Sequence, residues 1–167
     1  MEKTIYTKDI PNKKIFVKRE FNSSPEIVWK AWTESELLDK WWAPKPWTAK
    51  TKSMDFTEGG TWMYCMCGPD DEKVWCKVVY KKIDEIKSFE GTDAFCNENG
   101  IESTEMPGMY WIVSFKPSEN GTTVDVEITF DSEEDLKKIV EMGFQDGFAS
   151  GHYNLDELLR DLTDIKN

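Results

Sequence analysis

His152, the one histidine of the chain, lies in a stretch whose apolar partners are Phe144, Phe148, Leu155, Leu159 and Leu162. Those spacings of three and four residues put the imidazole on the apolar stripe of an α-helix. Three readings stand for it: a core histidine with one satisfied hydrogen bond, a polar group orienting a ligand in a cavity, or a general acid or base. An ordinary pKa near 6.5 suits the third reading. No serine or cysteine nucleophile is paired with it by motif, and no carboxylate is placed by sequence to orient it.

Three of the four cysteines fall close together as Cys65, Cys67 and Cys76. A hairpin turning at residues 69–72 sets Cys67 opposite Val74 and Cys65 opposite Cys76, which would gather three thiols on one face in the manner of a soft-metal site. The C-x-C…C spacing matches no standard zinc pattern, and no histidine is near in sequence. Buried strand cysteines acting as small hydrophobes are the favoured reading, so neither a metal nor a disulfide is expected. Phosphate loops of the G-x-G-x-x-G or G-x-x-x-x-G-K-[ST] type are absent, which excludes those routes to nucleotide binding.

The aromatic strands complete the inventory. Trp62, Tyr64 and Met66 share one face of a strand, with Met63, Cys65 and Cys67 on the other. Tyr110, Ile112 and Ser114 oppose Met109, Trp111, Val113 and Phe115 in the same way. Both faces are rich in apolar or aromatic groups, as where one lines a cavity and the other is covered or exposed; a plain aromatic core is the alternative. From strand parity and the helix stripe, the candidate lining residues are Trp62, Tyr64, Tyr110, Ile112, Phe144, Phe148 and His152, and a one-residue error would reverse each strand's choice. Gly143, Gly147 and Gly151 recur every four residues beside the helix stripe. Helical glycine costs up to about 1 kcal/mol relative to alanine, so they reflect either close packing on the sheet or room left for a ligand.

Several elements must position these groups. Residues 14–21 alternate as a half-buried strand. Ser24-Pro25-Glu26 opens a short helix whose buried face is Ile27, Val28, Ala31 and Trp32. Thr33-Glu34-Ser35-Glu36 reads as a capping box for a second helix, which Pro44 and Pro46 stop. From about residue 48 to 130 the chain reads as antiparallel strands: 52–56, 62–67, 74–82, 86–95, 110–116 and 122–130. Turn chemistry at Gly59-Gly60, Gly68-Pro69-Asp70-Asp71 and Asn120-Gly121 punctuates them, with a polar stretch at 97–108. Ser132 caps another helix, and the long terminal helix runs from after Gly143 to about Thr163. The order gives an α+β fold, a curved antiparallel sheet gripping its C-terminal helix.

Composition bounds the function. A chain of 167 residues with 39% hydrophobic residues and eight tryptophans suits one globular domain, residues 1–167 with a core at about 14–162. A net charge of −11 opposes both nucleic acid and an anionic membrane surface as partners. Acidic clusters at 131–135 and 156–164 read as solvated helix faces. The N-terminus has no apolar leader region, and no window approaches a membrane span, so a cytoplasmic location is expected.

The succession Phe21-Asn22-Ser23-Ser24-Pro25-Glu26-Ile27-Val28-Trp29-Lys30-Ala31-Trp32-Thr33 resembles the opening of START-like (SRPBCC, helix-grip) proteins of the branch named after the activator of heat-shock protein 90 ATPase. Leu37-Leu38, Trp41-Trp42-Ala43-Pro44, Gly59-Gly60-Thr61-Trp62, Gly68-Pro69 and the helix over 147–159 continue the resemblance in order. It implies a sheet closing with the C-terminal helix over a cavity that takes hydrophobic or amphipathic small molecules. No shared catalytic motif maps onto this chain, so no catalytic residue or cofactor is assigned.

The leading expectation is therefore non-catalytic binding of such a molecule. One alternative is an enzyme using the same cavity for acid–base chemistry through His152, with a tyrosine as donor. A second is a chaperone-interaction module, ranked last because the extra N-terminal domain expected of eukaryotic activators is missing. Either a monomer or a homodimer is expected, with Trp41, Trp42 and Trp47 serving an interface or closing one end of the grip.

Overall fold

The computed structural model describes residues 4–166. Two helices, α1 (Pro25–Thr33) and α2 (Ser35–Trp41), interrupt eight strands after the second, and α3 (Glu133–Glu141) and α4 (Phe144–Lys166) follow the last. The strands are β1 (Ile5–Asp9), β2 (Lys14–Phe21), β3 (Thr48–Met54), β4 (Thr61–Cys67), β5 (Lys73–Asp84), β6 (Ser88–Cys96), β7 (Met109–Ser118) and β8 (Gly121–Thr129). They form one antiparallel sheet in the order β1-β2-β8-β7-β6-β5-β4-β3, whose concave face holds the helices. This is the helix-grip arrangement.

Local chemistry explains most boundaries. Ser24 caps α1 by accepting the Ile27 N–H at 3.4 Å, with Pro25 in the first turn. Ser132 caps α3 by accepting the Asp135 N–H at 3.1 Å. The expected capping box at Thr33 does not form. Thr33 ends α1 and spends its hydroxyl on the Trp29 carbonyl at 2.8 Å, so α2 begins without a side-chain cap. Ile27 is only half-buried, and Trp29 takes its place on the inner face.

Two strands depart from expectation. β1 escaped the sequence reading because it is short, mostly exposed and held only along the edge of β2. β3 starts at Thr48 rather than 52, and a bulge between Thr51 and Ser53 adjusts its register. Asp39 of α2 fastens it there, accepting from both the Thr51 N–H and hydroxyl.

Alternating inward residues of β2, β8 and β7 build the floor: Ile15, Val17 and Phe21, then Val124, Val126 and Ile128, then Val113 and Phe115. Leu155, Leu158 and Leu159 of α4 close on it, each burial favourable by about 1.5–3 kcal/mol. Polar ties orient that helix. Arg19, 3% exposed on β2, gives a bidentate pair to Asp156 at 2.8 and 2.6 Å. Asp156 is thus an ion-pair partner, not part of a solvated acidic face. Asn154 donates to the Ala43 carbonyl at 3.0 Å, holding the end of α2.

The three spaced glycines have three different causes. Gly143 adopts φ +91° at the α3–α4 junction, a backbone that favours glycine. At Gly151 a Cβ would lie 3.4 Å from the Trp41 carbonyl, so close helix packing explains it. Gly147 has neither reason, since a Cβ there would meet only Pro44 at 3.9 Å.

Candidate ligand-binding site

Between the concave face of β4–β7 and the first turns of α4 lies a cavity of about 420 Å³. β4 and β5 contribute Tyr64, Met66, Val74 and Cys76, while β6 and β7 contribute Asp93, Phe95, Met109 and Trp111. Ile139 of α3, Met142 just past its end, and Phe144, Gly147 and Phe148 of α4 face them. Trp42, Pro44 and Trp47 form the remaining wall. Trp41 is fully buried, with its Nε1 donating to the Ala31 carbonyl at 2.9 Å, so it is not available to an interface.

Trp42 organises the wall. Its ring meets Trp32, Trp41, Trp62, Trp111 and Phe148 at centroid distances of 5.2–6.3 Å, mostly edge to face. Its Nε1 donates to the Tyr64 hydroxyl at 3.0 Å. Tyr64 in turn faces Cys76, its partner across β4 and β5. Burial pushes the Tyr64 phenol and the Cys76 thiol well above their ordinary ranges, so both stay neutral near pH 7.

Asp93 is the group that sequence reading missed. It shares the inner face of β6 with Phe89 and Gly91, opposite Val78 on β5 and Met109 on β7. It is 8% exposed, and burial raises its carboxyl to about 7 despite a favourable backbone hydrogen bond at Ala94. The signal was present in the alternation Phe89, Gly91, Asp93, a carboxylate on the apolar parity of a strand. The cavity lining contains no lysine, arginine or histidine.

The expected lining residues separate. Tyr64, Phe144 and Phe148 meet in this cavity. Trp62 lies beneath it, in a small hollow shared with Val78, Tyr80 and Gly91, and stacks on Tyr64 at 4.1 Å. Tyr110 and Ile112 are on the opposite, outer face and do not reach the cavity. Tyr110 donates to Glu90 at 2.8 Å, and Ile112 lies in an outer groove beside Phe16 and Lys18. Trp111 holds the inward position because β7 pairs it with Gly91 and Ile128.

His152 is also outside the cavity. It lines a separate hollow of about 240 Å³ with Tyr6, Arg19 and Ala149. Its ring packs on Phe148 at 4.3 Å and Phe21 at 5.6 Å, and its buried Nδ1 has no partner. Burial, with the Arg19 guanidinium beside it, lowers the imidazole to about 3.

The expected thiol cluster is likewise divided. Cys76 pairs with Tyr64, while Cys65 faces Trp75 and Cys67 faces Lys73, one residue off the expected register. Cys76 points inward, and Cys65 and Cys67 share the other face with sulfurs 3.5 Å apart. The turn closes by Gly68 donating to the Glu72 carbonyl, which sets that shift. Among the described residues no cluster of three or more metal-ligating side chains occurs.

The sequence profile of the family described as Activator of Hsp90 ATPase homolog 1-like protein matches residues 22–160. The chain belongs to this family. Solved structures similar to this family member include a solution structure from Arthrobacter aurescens, 30% identical with a TM-score of 0.89, covering 94% of this chain and 91% of that one. A crystal structure from Mycobacterium smegmatis is 28% identical with a TM-score of 0.87 and coverage of 93% and 96%. A solution structure from Staphylococcus epidermidis is 27% identical at a TM-score of 0.82, covering 93% of each chain. No curated protein matches the sequence. The family match runs from the start of the first helix region into α4, so it spans every element that lines the cavity.

No helix among the described residues is long and apolar enough to cross a membrane. Residues 1–3, on which part of the expectation about an N-terminal leader falls, lie outside the described residues.

Proposed function

We propose that this family member binds a hydrophobic or amphipathic small molecule in the cavity between β4–β7 and α4. The observation that carries the reading is a 420 Å³ space with aromatic and aliphatic walls and few polar groups, a size and lining typical of ligand sites. Gly147 supports it independently. A helical glycine is costly, and here it leaves open volume instead of relieving a clash.

The test combines native mass spectrometry of the purified protein, with organic extraction, and a melting-temperature panel of neutral aromatic compounds. One copurifying molecule per chain, or a ligand that raises the melting point, supports binding. At a hundredfold excess over Kd the expected stabilisation is about 2.7 kcal/mol, or roughly 5–10 °C for a chain of this size. Gly147→Leu fills the cavity while improving helix propensity and should weaken that ligand at least tenfold. An empty protein that no compound stabilises would sink the reading.

The acid–base alternative through His152 gains no support. An imidazole that stays neutral down to about pH 3, in a different hollow, does not take up a proton near neutrality and does not line the cavity. The family description favours one further reading, interaction with a chaperone ATPase. Recovery of that chaperone in a pull-down, with stimulation of its ATPase, would carry it.

A further inference from the structure

Asp93 is an odd residue for a site that takes a purely apolar guest. A carboxylate in an apolar wall is unfavourable unless something compensates its charge, and no lysine, arginine or histidine lines this cavity. Every other titratable group facing it is neutral at working pH. Tyr64 on β4 and Cys76 on β5 have their ionisation pushed upward, by burial first, and so has Tyr80, which shares the small hollow beneath with Asp93. β7 presents Met109 and Trp111, α3 and its C-cap present Ile139 and Met142, and α4 presents Phe144, Gly147 and Phe148. The α2 side presents Trp42, Pro44 and Trp47. The compensating charge is therefore absent from the protein around the cavity.

We infer that the cavity is selective for organic cations: an apolar aromatic or alkyl body carrying a protonated amine that pairs with the Asp93 carboxylate. This rests on the binding reading above and names its ligand class. Three features support the choice of sign. Trp42, Trp111, Phe95 and Phe148 line the same cavity as Asp93, and aromatic faces attract cations. The chain's net charge of −11 raises the local concentration of cations and lowers that of anions. A carboxylate ligand would meet Asp93 with like charge and find no basic side chain in the wall.

The pairing has a proton signature. With its carboxyl near 7, Asp93 is about 90% protonated at pH 6 in the free protein. An arriving ammonium favours the carboxylate, so the carboxyl proton passes to the buffer as the ion pair forms. Binding at pH 6 should then release close to one proton per ligand, and at pH 9 none.

The test uses three probes of one shape: 4-phenylbutylamine, 4-phenylbutan-1-ol and 4-phenylbutyrate, titrated by calorimetry into the full chain. At pH 8.5 the amine should bind about 10–100-fold tighter than the alcohol, as expected for a charge-assisted hydrogen bond, and the butyrate weakest. Asp93→Asn should bring amine and alcohol within about threefold of each other. Independently of any variant, repeating the wild-type amine titration at pH 6 in buffers of different ionisation enthalpy should show the released proton. Equal affinity for amine and alcohol, with no proton released, would overturn the inference and leave the binding reading standing. If none of the three binds and the neutral aromatic panel is silent too, both fall.

Discussion

At the residue scale, Asp93 sets the terms of the site. Its carboxyl is raised from 3.8 to about 7 by burial, so the folded chain holds a proton that the unfolded chain has already released. Between about pH 4 and 7 this group therefore makes stability fall as pH rises, and above 7 the loss is complete. A shift of that size corresponds to on the order of 4 kcal/mol. Asp93→Asn should accordingly raise stability by a few kcal/mol at pH 8 and by almost nothing at pH 4, as measured by urea unfolding. An equal gain at both pH values would mean that ionisation is not the cause. Sequence reading overlooked Asp93 because its strand was traced by its ends, and the one polar inward position was not singled out. It placed Tyr64, Phe144 and Phe148 with the right neighbours because their elements have clear parity. Tyr110 and Ile112 went to the wrong face because β7 is apolar on both, and only pairing with Gly91 and Ile128 assigns Trp111 inward.

At the element scale, α4 is held to the sheet by apolar packing and, among the described residues, by an ion pair between buried Arg19 and half-buried Asp156. Arg19 and Asp156 are 137 residues apart, so no local pattern could have joined them. Helix starts at Ser24 and Ser132 were legible because capping is a matter of adjacent residues, whereas β1 has no apolar alternation to reveal it. Asp156→Asn leaves the Arg19 guanidinium buried without its counter-charge and should cost about 3 kcal/mol. Replacing both, as Arg19→Met with Asp156→Leu, should recover most of that loss, since two apolar side chains need no mutual neutralisation. Double-mutant denaturation curves decide it. If the pair replacement is as unstable as Asp156→Asn alone, the bridge contributes more than charge compensation, most directly through the Arg19 bond to Thr4.

At the scale of the whole molecule, two buried titrating groups oppose each other. His152 is lowered from 6.5 to about 3, so below pH 6.5 the unfolded chain takes up a proton that the folded chain refuses. Its stabilising contribution is complete above 6.5 and is lost as pH falls toward 3. Asp93 has the reverse slope over nearly the same interval. Relative to wild type, Asp93→Asn should therefore steepen the fall in stability from pH 6.5 to 4, and His152→Leu should flatten it. A pair of variants with parallel pH–stability curves would contradict this opposition.

The ring contacts around Trp42 also have an optical consequence. Trp32, Trp41, Trp62 and Trp111 all lie within 5.8 Å of it, centroid to centroid. Five indoles that close share their excitation before they emit, so light absorbed by any of them is available to all. A guest in the cavity touches Trp42 and Trp111 directly, yet the quenching it causes should extend to indoles it never meets. Emission from these five of the eight tryptophans should therefore respond as one group to a bound guest, over the separate emission of Trp29, Trp47 and Trp75, and no label is needed to read it.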